Sequence, residues 1–210
     1  LRLLNDQASA LEGLFAFVKQ DRSLSISFIR ELHQVMTASQ ESVTVSDPQG
    51  KRFETELLKG QWKKHPNYPQ RDGREFRYCP PEHVAAEMGR LIEMHLSHVD
   101  VSPEVEAAWL HHRFAQIHPF QDGNGRIARA LATLVLIRGG LFPMVVSIAE
   151  KSDYLACLER ADRGDLKALV YFIARGQQRR AETALSLARQ IGFGSDTVRE
   201  AVATYGLSLQ

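Results

Sequence analysis

The sequence predicts an all-α fold, a bundle of helices with one small β-hairpin. Apolar residues recur at helical spacing over most of the 210-residue chain. Between Thr44 and Cys79 this pattern gives way to three glycines, three prolines and short extended pieces such as Arg74–Tyr78. A long irregular segment in a compact domain usually serves a function, so we expect a loop with a hairpin that lies over the helices.

Two helices are predicted in the N-terminal part of the chain. A short apolar stripe indicates the first, and it consists of Leu11, Leu14, Phe15 and Val18. The second is expected over about residues 25–38.

The later helices have the start and stop signals that helices commonly carry, with proline near their first residues and glycine after their last. Pro119 should end one of them near Ile117, because the residue before a proline is disfavoured in the helical conformation. The predicted ranges are Glu82–Val99, 102–117, Gly125 to Gly139–Gly140, Ser152–Ala161 and Asp165–Ile191. Residues 192–210 are expected to form a tail with a short separate helix.

The composition is typical of a soluble globular protein. A net charge of +1 with 24% charged residues gives no general attraction to nucleic acid or anionic membranes. Cys79 and Cys157 match neither a disulfide framework nor a metal motif, so a cytoplasmic location is expected. The most apolar stretch, Ala130–Ile137, is far too short to span a bilayer, and no signal peptide is recognised.

The segment from His118 to Arg129 is the most informative part of the chain. Its Asp-Gly-Asn-Gly stretch removes side-chain bulk and lets backbone amides converge on an anion, at the start of a helix whose dipole favours phosphate. Arg126 and Arg129 share a helical face and can clamp a polyphosphate. These features predict a phosphate-binding loop.

Three further side chains of the segment can be given roles. Asp122 can offer a carboxylate to Mg²⁺, and His118 can accept a proton from an attacking hydroxyl near neutral pH. Phe120 is expected to point into the core and pin the loop. On residue types alone, a structural turn with solvent-facing arginines explains the segment equally well. No Walker A loop is present, and no ligand set completes a zinc site at His111–His112.

The segment resembles the signature of the Fic family, His-x-Phe-x-(Asp/Glu)-Gly-Asn-Gly-Arg-x-x-Arg. Every fixed position of that signature is matched. The matching residues are His118, Phe120, Asp122, Gly123, Asn124, Gly125, Arg126 and Arg129. The resemblance covers about residues 1–175. It implies an all-α enzyme that transfers AMP from ATP to a hydroxyl of a target protein and releases pyrophosphate.

The resemblance also implies a role for each polar residue of the signature. His118 would be the general base for a Ser, Thr or Tyr hydroxyl, and Asp122 would hold Mg²⁺ between the α- and β-phosphates. Arg126 would neutralise the leaving pyrophosphate, and Arg129 would bind the γ-phosphate. The residues that cradle ATP would be Gly123, Asn124, Gly125, Arg126 and Arg129.

Two more regions gain a role from the resemblance. The hairpin would be a flap over about residues 60–80 that docks the target segment by strand pairing. Its docking residues would be Glu75, Phe76 and Arg77. Tyr154 and Asp162 would face adenosine, although an ordinary half-buried tyrosine explains Tyr154 equally well.

The N-terminal helix resembles the family's inhibitory helix, which reads Ser/Thr-x-x-x-Glu-Gly/Asn. Glu12 and Gly13 match, whereas Ala8 stands where Ser or Thr is expected. The resemblance implies that Glu12 pairs with Arg129 and displaces the γ-phosphate, so that the enzyme is autoinhibited. The alternative is a solvent-facing glutamate without a partner.

The expected organisation has N-terminal helices at 1–40, a Fic domain at 41–190 and a tail at 191–210 that can begin a further module. The expected partners are ATP, Mg²⁺ and a target protein with a hydroxyl side chain. Self-modification and a homodimer are compatible with the resemblance, and nucleic acid would require a winged helix beyond this sequence. The alternative functions are AMP removal, kinase-like or other nucleotide transfer, and a non-catalytic nucleotide-binding regulatory module.

Overall fold

The structure is a computed structural model that describes residues 2–46, 51–67, 70–71, 74–75 and 78–190. Helices dominate the described residues, and the strands form small antiparallel hairpins. The predicted all-α class with a small hairpin is therefore confirmed. The predicted tail at 191–210 and the predicted docking residues Phe76 and Arg77 lie outside the described residues, as does the side chain of Glu75.

The helices follow the order and the approximate bounds that the sequence predicts. They are α1 (Arg2–Lys19), α2 (Ile26–Met36), α3 (Val84–Ser97), α4 (Pro103–Ile117), α5 (Asn124–Arg138), α6 (Lys151–Asp162) and α7 (Lys167–Gln190). The Ser25 hydroxyl caps α2 by accepting a hydrogen bond of 3.2 Å from the backbone N–H of Phe28. Gly140 follows α5 with a φ of 74°, a conformation that glycine adopts without strain.

α1 packs against α2 through aromatic side chains. Phe17 of α1 is buried, and its ring stacks on Phe28 of α2 with centroids 3.8 Å apart. Leu14 is buried as predicted, but Leu11 and Phe15 are 37% and 47% exposed. The predicted stripe is wrong at these two positions, because apolar periodicity alone does not decide between neighbouring faces of a helix with many apolar residues.

Two hairpins occupy the interval in which one was predicted. In the first, β1 (Ser42–Ser46) pairs with β2 (Arg52–Glu56), and in the second, β3 (Gln70–Arg71) pairs with β4 (Arg74–Glu75). The second corresponds to the predicted flap. The first was not predicted, because β2 is largely charged and exposed and carries only a weak strand pattern.

The described residues fall into two compact units. One draws on Leu1–Val99 and Leu110–Ala130, and the other on Asp100–Trp109 and Leu131–Gln210, in each case over the described residues only. In the first unit the core includes Leu14, Ile29, Val84, Phe114, Phe120 and Ile127. In the second it includes Leu131, Leu134, Leu136, Leu169 and Ile173. The boundaries expected at residues 40 and 190 stay predictions.

Hydrogen bonds and an ion pair also connect the elements of the second unit. The Gln177 side chain accepts a hydrogen bond from the backbone N–H of Phe142 at 2.8 Å and donates one to the Phe142 carbonyl at 2.9 Å. Glu150 at the start of α6 forms an ion pair with Arg179 of α7. No helix among the described residues is long and apolar enough to cross a membrane.

Candidate active site

The loop between α4 and α5 is shaped by the first residue of α5. Asn124 accepts a hydrogen bond from the backbone N–H of Phe120 at 2.8 Å and donates one to the Phe120 carbonyl at 2.7 Å. Its side chain is 2% exposed, so these bonds are shielded from water. Asn124 thus holds the shape of the loop, and its direct contact with phosphate stays a prediction.

Phe120 anchors the loop in the core of the first unit. The side chain is fully buried, and its ring stacks on His33 of α2 with centroids 3.8 Å apart. The rings of Trp62 and Phe114 lie 5.1 and 6.3 Å away. The expectation that Phe120 points into the core and pins the loop is confirmed.

His118 opens the loop in a conformation that few residues adopt. Its φ of 51° lies in the left-handed region, an outlier of the kind that clusters at functional sites. Nδ1 lies 3.2 Å from the carbonyl oxygen of Ala115. Because a carbonyl can only accept, Nδ1 carries the proton and Nε2 keeps its lone pair in the neutral ring. His118 is therefore in the tautomer that a general base requires.

The surroundings of His118 keep it neutral. Burial lowers its pKa to about 4, and the positive charge of Lys63 acts in the same direction. Lys63 is held beside the loop by its backbone N–H, which donates to the Pro119 carbonyl at 2.8 Å. The lysine is 4% exposed, and Nζ has no hydrogen-bond partner among the described residues. Burial lowers its own pKa to about 8.

Gln40 joins two residues of the signature. Its Nε2 donates to Asp122 Oδ2 at 2.6 Å, and its Oε1 accepts from Arg126 Nη2 at 2.7 Å. Arg126 also donates to the carbonyl of Met36 at 3.1 Å and lies 3.6 Å from Asp122 Oδ2. The candidate cation ligand and the candidate phosphate ligand are thus oriented by the same amide side chain.

Asp122 is ionised in this setting. Partial burial disfavours its charge, but hydrogen bonds from Gln40 and from the backbone N–H of Gly123, together with the charge of Arg126, outweigh that effect. The pKa of the carboxyl accordingly lies below its ordinary value. Such a carboxylate fits one position in the coordination of Mg²⁺.

A cavity of about 440 Å³ opens beside this pair of residues. It is lined by Gln7, Ser39, Gln40, Asp122 and Arg126. α1 is fastened at its rim, because the Asp6 carboxylate accepts hydrogen bonds from the backbone N–H of Ser39 at 2.9 Å and from the Ser39 hydroxyl at 2.5 Å. The described residues contain no cluster of three or more metal-ligating side chains. A divalent cation would therefore need phosphate oxygens and water beside Asp122.

Arg129 lies one turn after Arg126 on α5, and the sequence spacing places them on one face. Its charge adds to the effect of burial, which lowers the pKa of His111 to about 3. Glu12 is exposed on α1, and no ion pair joins the described side chains of Glu12 and Arg129. Their pairing stays a prediction.

The predicted adenosine contacts lie in the second unit. Tyr154 is 5% exposed on α6, and its ring is tilted against Phe172 with centroids 5.8 Å apart. This is what an ordinary buried tyrosine would show. Asp162 is exposed at the end of the same helix. The roles of both residues toward a nucleotide stay predictions.

The structure adds polar residues that sequence reasoning missed. They are His33, Gln40, Lys63 and Tyr78. All four are far from the signature in sequence, and no spacing rule connects them to it. The sequence holds a signal for His33, which lies on the apolar face of the second predicted helix. An ionisable side chain at such a core position is uncommon and could have drawn attention to it.

The comparison with protein families decides the identity of this fold. The model described as "Fic/DOC family" matches residues 23–136, which is more than half of the chain and includes the whole loop described above. The chain belongs to the Fic/DOC family. The resemblance noted in the sequence is thereby confirmed.

The relatives of this chain include Fic proteins of animals. "Protein adenylyltransferase Fic" of Nematostella vectensis is 35% identical over 94 residues, which are 45% of this chain and 22% of that protein. "Protein adenylyltransferase fic-1" of Caenorhabditis briggsae is 28% identical over 159 residues, 75% of this chain and 28% of that protein. This chain thus spans less than a third of the length of either relative.

Solved structures share the Fic fold. A Fic domain containing signaling protein from Bacteroides thetaiotaomicron has a TM-score of 0.74 and 29% sequence identity, and the match covers 87% of this chain and 70% of that one. Fic-1 of C. elegans has a TM-score of 0.72 and 23% identity, over 91% of this chain and 52% of that one. The latter likeness is one of fold.

Proposed function

We propose that this Fic protein is a protein adenylyltransferase, which transfers AMP from ATP to a Ser, Thr or Tyr hydroxyl of a target protein. The observation that carries the proposal is the imidazole of His118, held in the tautomer of a base at the start of the loop that contains Asp122 and Arg126. Two relatives named as protein adenylyltransferases support it.

In this mechanism His118 Nε2 takes the proton of the target hydroxyl as the oxygen attacks the α-phosphorus of ATP. The bond from that phosphorus to the bridging oxygen breaks, and pyrophosphate leaves with the electron pair. The hydrogen bond from His118 Nδ1 to the Ala115 carbonyl orients the ring and stabilises the positive charge that it gains. The base is neutral before the reaction because burial lowers its pKa to about 4.

The phosphates would be bound at the N-terminus of α5. The backbone amides of Gly123 and Gly125 and the helix dipole would favour the anion there, and Asn124 keeps the loop in shape. Arg126 would neutralise the leaving pyrophosphate, and Arg129 would bind the γ-phosphate. Asp122 would hold Mg²⁺, which supplies charge neutralisation between the phosphates when it is bound.

Further parts of the proposal rest on the family resemblance. The β3–β4 hairpin would dock the target segment, through Glu75, Phe76 and Arg77. Tyr154 and Asp162 would face adenosine. Glu12 would restrain the enzyme through Arg129. The protein would act in the cytoplasm, and its substrates would be ATP and another protein or a second copy of itself.

The test uses ATP labelled at either phosphate. Label from the α-position should enter protein with the wild type and with His83→Ala, which removes an exposed histidine, and should be lost with His118→Ala. Each protein is also assayed with Glu12→Gly, so that restraint by Glu12 does not conceal the reaction. Label that enters from the γ-position would show a kinase-like reaction instead. ATP binding with no transfer of either label would favour a regulatory module.

A further inference from the structure

His33 is a buried histidine of α2 with both ring nitrogens engaged. The side chain is fully buried, Nδ1 lies 2.8 Å from the backbone nitrogen of Gly60, and Nε2 lies 3.1 Å from the carbonyl oxygen of Asp122. A backbone N–H can only donate, so Nδ1 is the acceptor and Nε2 carries the proton. His33 therefore donates a hydrogen bond to the carbonyl of Asp122.

This hydrogen bond has a consequence for the next amide. In a planar trans peptide the carbonyl and the N–H point in opposite directions. Because the Asp122 carbonyl faces His33, the N–H of Gly123 faces away from it and donates to Asp122 Oδ1 at 2.6 Å. Gly123 has a φ of 80°, and a glycine can adopt either orientation of the preceding peptide. The Asp122 carboxylate holds the observed orientation from within the loop, and His33 holds it from α2.

We propose that His33 is a positioning residue that locks the peptide between Asp122 and Gly123. The lock keeps the Gly123 N–H directed at Asp122 Oδ1, where it steadies the carboxylate that would hold Mg²⁺ with the phosphates of ATP. A reversed peptide would place a carbonyl oxygen beside that carboxylate instead, and the two would repel each other. The inference rests on the proposed function, because it concerns the binding of ATP at this loop.

The tautomer of His33 is itself fixed from outside the signature. Gly60 has a φ of 70°, and Arg30 Nε donates to its carbonyl at 2.5 Å. A Cβ atom added at Gly60 would lie 2.7 Å from Gln34 Nε2, so the turn packs closely against α2. Its N–H is thereby aimed at His33 Nδ1. The N–H of Gly60 thus places the His33 proton on Nε2. The hydrogen bond from Nε2 then fixes the orientation of the Asp122–Gly123 peptide.

A matched pair of variants separates the two bonds of His33. His33→Gln places an amide near the position of Nε2 and keeps a donor for the Asp122 carbonyl. His33→Asn is shorter, places its amide near the position of Nδ1 and keeps only the bond to Gly60. Both variants lose the aromatic ring, so both should lose similar stability. The affinity for ATP in the presence of Mg²⁺, measured by calorimetry, should fall about tenfold for Asn and less than about threefold for Gln.

A second measurement needs no nucleotide. Hydrogen exchange at the Gly123 amide should be slow in the wild type and in His33→Gln, and faster in His33→Asn by at least about tenfold. Equal affinities and equal exchange in the two variants would overturn the inference, as would fast exchange in the wild type if neither variant folds. A protein with Glu12→Gly that binds no ATP would instead overturn the proposed function, whatever the exchange data show.

Discussion

The ring of Tyr78 lies flat on the imidazole of His118, with centroids 3.8 Å apart and planes inclined by 3°. Tyr78 comes just before the Pro80–Pro81 pair, on the chain segment that follows the flap. The tyrosine therefore covers the candidate base and contributes to the burial that lowers its pKa to about 4.

Removal of this cover should make His118 more basic. In Tyr78→Ala, water reaches the imidazole, so the pKa of His118 should rise by at least about 1 toward the ordinary value of 6.5. NMR titration of the histidine ring protons measures it. Tyr78→Phe keeps the stacked ring and should titrate like the wild type. Identical titrations for Ala and Phe would show that the stacking does not control the base.

A negative charge at Gln40 should weaken the binding of ATP. In Gln40→Glu, Asp122 loses its amide donor and gains a neighbouring carboxylate, which also repels the phosphates. We expect the metal-free affinity for ATP, measured by calorimetry in EDTA, to fall about tenfold. Gln20→Glu adds the same charge at an exposed position just after α1 and serves as the control. An equal loss in both variants would indicate a general charge effect.

Lys63 should make the stability of the protein depend on pH in the alkaline range. The folded protein loses the Lys63 proton above about pH 8, whereas the unfolded chain keeps it up to about 10.5. The unfolded state then binds more protons, so the free energy of unfolding should rise between these values, by about 2 kcal/mol. Urea unfolding at pH 8 and pH 10 tests this against Lys63→Met, which should lack that rise. The same pH dependence in both proteins would contradict the prediction.

Gly60 should tolerate no side chain. Gly60→Ala combines a φ of 70° with contacts below 3.0 Å to Gln34 and to the carbonyl of Arg30, so it should destabilise the protein by about 2 kcal/mol or more. Gly89 is a helical glycine of α3 with nothing within 4 Å of an added methyl group. Gly89→Ala should therefore stabilise the protein by up to about 1 kcal/mol. Thermal unfolding compares the two, and a stable Gly60→Ala would show that the turn relaxes.

Loss of Glu12 should release the enzyme if this residue restrains it. Glu12→Gly removes the carboxylate predicted to pair with Arg129, so the rate of labelling from α-labelled ATP should rise at least about fivefold. Glu31→Gln removes an exposed charge from α2 and should leave the rate unchanged. Equal rates for the wild type and Glu12→Gly would refute inhibition by Glu12 and leave the transfer reaction itself intact.

Much of the fold could be predicted from the sequence, because its signals are local. Proline marks the helix end at Ile117 and glycine the helix end at Arg138, and apolar spacing finds the helices themselves. The exposed residues Leu11 and Phe15 show the limit of that method, since the partner helix decides which face is buried. The hairpin of β1 and β2 was not predicted because its strands bury few side chains.

The residues of the candidate site likewise fall into those with local sequence signals and those without them. Residues within the twelve-residue signature could be named, because their spacing on one loop and one helix fixes their neighbourhood. Gln40 and His33 could not, since they reach Asp122 across more than eighty positions of sequence. Such contacts depend on how α2 packs beneath the loop, and that packing leaves no mark on the spacing of the signature.

The double hydrogen bond between Asn124 and the backbone of Phe120 bears on the thermodynamics of ligand binding. The loop is closed by its own residues, so a nucleotide would meet a backbone that has already lost its conformational entropy during folding. The loop would then lose little further conformational entropy when the nucleotide binds, and the affinity would be reduced little by that loss. In Asn124→Ala the loop should become ordered only when the nucleotide binds. The entropy of binding should therefore become less favourable, while the enthalpy of the remaining phosphate contacts changes less.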